Sequence, residues 1–274
     1  MKFESIKNLF ESKKRSEQVA YTGIMVEEET TEKDLVGSQH IRMDAVEAHS
    51  IISDTINISS IQQKLKSDLF KIGDPFIVRE TIEALARLVL ELRERILQYD
   101  TILSDDASGR LPSLLILKII KKLKGGNMPQ IYFLAGGRYT ELERREQIRI
   151  FLKKNKDKFG KTLLVTEYIR TGESIGNLIA LLEKANIIFD TASVTTEMGI
   201  HYVHAVGDLI YGKQLTNPSI LYKPLGLGVK KDIQKVKKDR DLAHPQRNKL
   251  STIHERAVRE DLEVLAEEFV KLLK

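Results

Sequence analysis

Five short strand-like runs, separated by helical patterns, constrain this chain more than any other feature. They are "TIL" from Thr101, "IYFLAG" from Ile131, "TLLVTE" from Thr162, "DTASVTT" from Asp190 and "DLIYG" from Asp208. Between them lie an apolar helix, Leu111 to Lys124, stopped by Gly125-Gly126, and a charged helix opened by the capping box Thr140-x-x-Glu143. A third helix carries Ile175, Leu178, Ile179 and Leu182 on one face. Apolar strands alternating with helices predict an α/β fold, a central parallel sheet with helices on both faces.

The flanks read as helical additions. Residues 1–73 form an N-terminal extension. Phe3, Ile6, Leu9 and Phe10 share one helical face, "EEETTEKD" is an acidic loop, and Ile61, Leu65 and Leu69 follow a Ser59-Ser60 start signal. Residues 74–215 form the α/β domain. Asp74 as N-cap and Pro75 at the first helical position open a long helix. Its apolar face is Ile82, Leu85, Val89, Leu92 and Ile96, and it ends near Tyr99. That face covers the sheet or pairs with a second copy of the chain, the former being the commoner outcome. Residues 216–274 comprise a basic segment and a final amphipathic helix, with Val258, Leu262, Leu265, Phe269 and Leu272 on its apolar face.

Composition excludes several chemistries. The 274 residues include no cysteine, so disulfides, thiolate metal sites and cysteine nucleophiles are ruled out. No apolar run approaches the roughly 20 residues of a membrane span, and the charged start is not a secretory signal. The expectation is a soluble, cytoplasmic protein without a membrane partner. The formal net charge of +5 is unevenly placed: Lys223 to Lys249 holds nine Lys or Arg against three Asp. The segment is either a solvated basic loop or a surface for phosphate groups or nucleic acid. No aromatic residue interleaves those charges, which argues against a base-stacking platform.

The most informative junction is "KTLLVTEYIRTGESIGNLIALL" from Lys161. In an open parallel sheet, ligands sit at the carboxyl ends of strands, and "YIRTGES" is at such an end, just before a helix. Free backbone N–H groups and the helix dipole make that position an anion site. Gly172 lets the backbone approach a phosphate closely. Thr171 and Ser174 supply hydroxyls, and Glu167 can accept from sugar hydroxyls or hold a hydrated divalent cation. The combination suits a sugar phosphate. A helix cap alone is the plainer reading of the same Thr-Gly-x-Ser.

"LLVTEYIRTGES" resembles the phosphoribosyl-pyrophosphate signature of type I phosphoribosyltransferases: four apolar residues, two acids, a short variable stretch, then Thr-Gly and a hydroxyl residue. Upstream, "ILSDDASGRLPSLLILKII" is similar to that family's strand, pyrophosphate-binding turn and helix, with Ala107 to Arg110 as the turn. The resemblance spans Thr101 to Tyr211. It implies a phosphoribosyltransferase-like fold that binds phosphoribosyl pyrophosphate or a related ribose phosphate and transfers the phosphoribosyl group to a nucleophile the sequence does not identify. It places Glu167 on the ribose diol and metal. Arg170, Thr171, Gly172, Glu173 and Ser174 fall on the 5′-phosphate, and Ser108, Gly109 and Arg110 on the pyrophosphate. Asp105 and Asp106 lie beside that turn as substrate or magnesium ligands, and Mg²⁺ is the implied cofactor. The resemblance carries over no catalytic residue.

Two departures bear on turnover. Thr166 stands where the family has its first acid, and helical-looking "YTELERREQIRIFLKKNK" occupies the interval of the family's flexible catalytic loop. These favour a second reading, a non-catalytic sugar-phosphate-sensing or regulatory module. A third reading is a nucleic-acid partner using the basic segment. His201 and His204 read as ordinary polar residues, and "AGGRY" as a tight turn rather than a dinucleotide loop.

Overall fold

The computed structural model describes residues 43–67, 75–134, 142–197, 209–215 and 249–274. All of them belong to one compact unit, His40–Lys274. In chain order the elements are helices α1 (Ala45–Thr55), α2 (Ile58–Lys64) and α3 (Pro75–Glu91), strand β1 (Thr101–Asp105), helix α4 (Asp106–Lys124) and strand β2 (Gln130–Leu134). There follow helices α5 (Leu142–Lys154) and α6 (Lys156–Phe159), strand β3 (Thr162–Ile169), helix α7 (Glu173–Lys184), strands β4 (Phe189–Glu197) and β5 (Leu209–Leu215), and helix α8 (Lys249–Phe269).

The five strands form one sheet in the order β2-β1-β3-β4-β5. Every pairing is parallel. The α/β class read from the strand–helix alternation is therefore present. Leaving β1, the chain first adds β2 on one side and then returns to lay β3 on the other. The direction of winding thus reverses between β1 and β3, where a parallel sheet opens a crevice at its carboxyl end.

Alternate side chains of each strand serve two separate cores. Ile102, Leu163, Val165, Ala192 and Val194 join apolar residues of α1, α2, α3, α4 and α8. Leu103, Tyr132, Leu134 and Leu164 join those of α5, α6 and α7. Helices therefore cover both faces. The apolar positions Ile175, Leu178, Ile179 and Leu182 of α7 are all buried, as are Leu262, Leu265, Phe269 and Leu272 at the C-terminal end.

Three boundaries differ from the sequence expectation. Helix α3 stops at Glu91 instead of continuing to Tyr99. Bonds from Arg93 N to Leu90 O and from Arg95 N to Leu92 O tighten the chain there, and Ile96 lies in a separate 3-10 turn. Asn57, not Ser59-Ser60, caps α2, its side chain accepting from Ser60 N at 2.9 Å. Helix α4 begins at Asp106, so Ala107 to Arg110 is not a turn but the start of a helix that runs through Pro112. Phe3 to Phe10, the acidic loop, Leu69, Asp74, Thr140, "AGGRY", His201, His204 and the basic segment as far as residue 248 lie outside the described residues.

Candidate functional site

Strand β3 continues through Tyr168 and Ile169, leaving Arg170 to Gly172 as the link to α7. Gly172 takes the left-handed conformation, φ 78°, immediately before the first helical residue. Most side chains resist that conformation. It turns the chain sharply, so Arg170 to Ser174 and Ile175 enclose a cavity of about 230 Å³ together with Asp105, Thr166, Tyr168 and Ile169. The volume suits a phosphate or small sugar phosphate better than the ~300–1,000 Å³ typical of drug-sized ligands.

The cavity lies at the β1–β3 reversal. Ser104 pairs with Val165 in the parallel register. The next residues, Asp105 and Thr166, therefore stand side by side, and the Thr166 hydroxyl donates to Asp105 Oδ2 at 3.2 Å. The Thr171 hydroxyl accepts from Glu173 N at 3.4 Å. Long helices leave their first N–H groups without intrahelical partners, and the first turn of α7 borders the cavity. Behind two of the lining residues, Glu197 Oε2 accepts from the Tyr168 hydroxyl at 2.6 Å and pairs with Arg170 Nε at 3.0 Å. Burial, followed by this bond to Glu197, holds the Tyr168 phenol well above the ordinary tyrosine range.

The candidate residues thus divide into groups. Arg170, Thr171, Gly172, Glu173 and Ser174 line the cavity with Asp105. Glu167 is 3% exposed and lies on the sheet face of Leu163 and Val165, the opposite face from Thr166. Alternation separates adjacent strand residues in this way, so of Asp105 and Glu167 only Asp105 lines the cavity, together with Glu173 from the start of α7. Asp106, Ser108, Gly109 and Arg110 occupy the first turns of α4. Gly109 lies hard against β3: a Cβ there would stand 2.2 Å from the Val165 carbonyl oxygen. The Arg110 guanidinium sits 4.4 Å from the Phe133 ring centroid. Among the described residues no group of three or more His, Asp or Glu gathers to hold a metal ion.

The motif did not point to Tyr168 as a wall of the cavity, nor to Glu197 at all. Applying the carboxyl-end rule to every strand would have drawn attention to Glu197, an acid ending "DTASVTTE". No protein-family model matches the chain, and no curated protein matches it.

Proposed function

We propose that the cavity binds the phosphoribosyl portion of a ribose phosphate, such as phosphoribosyl pyrophosphate. The observation that carries this reading is the placement of a Thr-Gly turn, with Gly172 left-handed, and a helix N-terminus beside a carboxylate at the reversal point of a parallel sheet. The 5′-phosphate rests on Thr171 to Ser174. The sugar hydroxyls face Asp105, which replaces Glu167 in that role because Asp105 borders the cavity.

Magnesium commonly uses one or two protein carboxylates and fills its octahedron with water and substrate phosphate oxygens. Asp105 fits that limited demand as a single ligand. A bound magnesium ion would neutralise charge on a departing pyrophosphate. In the transfer reading, the bond from the anomeric carbon to pyrophosphate breaks as one to the nucleophile forms, and positioning of charge supplies the main catalytic effect. The non-catalytic reading is favoured by one observation: Thr166, at the position of the family's first acid, gives its hydroxyl to Asp105.

Thermal melts of the wild type and Gly172→Val, with and without ribose 5-phosphate, test the binding site. A ligand at about ten times its Kd adds about 1.4 kcal/mol, enough to raise Tm by a few degrees. The shift is expected in the wild type and absent in Gly172→Val, whose side chain opposes the positive φ. No shift in the wild type at millimolar ligand overturns the proposal. Pyrophosphate release from phosphoribosyl pyrophosphate with a panel of bases, with and without magnesium, then separates transfer from binding.

A further inference from the structure

Glu197 borders the candidate site through two residues that line it. A single carboxylate oxygen accepts from the Tyr168 hydroxyl at 2.6 Å and meets Arg170 Nε at 3.0 Å. Arg170 is the one cation among the described residues lining the cavity, where Asp105 and Glu173 supply opposing charge. Its side chain is 69% exposed, whereas that of Glu197 is 19% exposed. A long exposed side chain samples many rotamers and must be ordered whenever a ligand uses it. A guanidinium held through Nε, however, still presents its terminal nitrogens as a planar fork, the geometry that grips an anion's oxygens in pairs.

We propose that Glu197, braced by Tyr168, is a positioning residue that fixes Arg170 so that its terminal nitrogens serve the anionic group bound on the Thr171–Ser174 turn. This rests on the ribose-phosphate reading and adds the residue that organises its only lining cation among those described. The carboxylate's charge opposes an incoming anion, so Glu197 contributes by geometry and not by charge. That distinction fixes the sign of the outcome. An amide at position 197 can still accept from both partners, while a methyl group can accept from neither.

Calorimetric titration with ribose 5-phosphate tests this in the wild type, Glu197→Ala, Glu197→Gln, Arg170→Gln and the Arg170→Gln/Glu197→Ala pair. Glu197→Ala is expected to weaken binding roughly three- to tenfold, the usual effect of losing one preorganised side chain. Glu197→Gln is expected to restore most of the affinity. In the Arg170→Gln background, Glu197→Ala should change nothing further, a coupling that a merely structural role would not produce. Ligand-free melts check that each variant is folded. Should Glu197→Ala fail to fold, Glu197→Asp, which withdraws the carboxylate by one methylene, carries the same comparison. Wild-type affinity in Glu197→Ala, tighter binding, or an equal loss in both backgrounds overturns the role of Glu197 alone. Absence of binding by the wild type overturns the ribose-phosphate reading and this inference together.

Discussion

Two tyrosines and one glycine show how single residues set limits on this protein. The Tyr99 hydroxyl donates to Asp190 Oδ2 at 2.7 Å from a buried ring, and Tyr168 donates to Glu197. Burial is the larger cause in both cases and the carboxylate the next, so both phenols lie well above their ordinary pKa of about 10. The folded state holds these protons more tightly than the unfolded chain does. Their contribution is complete below pH about 10 and is lost as pH rises through the folded values. Ultraviolet titration of the eight tyrosines should show a late-ionising class that appears together with unfolding. Ionisation of every tyrosine near its ordinary pKa in a still-folded protein would refute this. Gly109 makes a steric demand instead. Because a Cβ would overlap the Val165 carbonyl oxygen, Gly109→Ala must push α4 off the sheet. A loss of about 1–3 kcal/mol or more is expected in urea denaturation, with or without ligand. An unchanged midpoint would show that the helix yields freely.

At the level of elements, the sequence displayed its periodicities but not its faces. The five strands were legible because short runs such as Leu163-Leu164-Val165 alternate with helical patterns, and α7 because Ile175, Leu178, Ile179 and Leu182 repeat at helical spacing. The start of α4 was not legible, since Asp-Asp-Ala-Ser-Gly is composed of turn formers and Pro112 resembles a first helical residue. In the fold that segment lies hard against β3 at Gly109, a tertiary contact that local sequence does not display. Nor could the motif show which of two adjacent residues, Thr166 or Glu167, borders the cavity, because that depends on the face each side chain takes. Tertiary contact also anchors α8. The buried carboxylate of Asp261 accepts from Lys66 N at 2.7 Å and Ser67 N at 2.8 Å, fixing the chain just beyond α2. Asp261→Ala strands both donors, and loss of two charge-assisted bonds is expected to cost at least about 3 kcal/mol. Asp261→Asn should fall between this variant and the wild type, since its single amide oxygen can satisfy one donor fully. Equal stability of all three in urea would remove this anchoring role.

Across the whole described unit, the two cores differ in how they are assembled from the sequence. The core under α5, α6 and α7 draws on residues from Leu103 to Ile187. The other reaches from Ala48 to Leu272, bringing α1 and α2 together with α8. Lysines on α4 also meet acids on α8, with Lys118 Nζ 3.0 Å from Glu263 Oε1 and Lys122 Nζ 3.2 Å from Glu267 Oε1. Such half-exposed pairs orient the helix more than they stabilise it. The apolar face of α8 fills the space that α2, α3 and α4 leave beneath it. During synthesis the sheet and its α5–α7 cover can therefore emerge from the ribosome complete while the opposite side still lacks a wall. Until α8 has cleared the exit tunnel, the nascent chain displays apolar surface from α3 and α4, the kind of exposure that attracts chaperones and promotes aggregation.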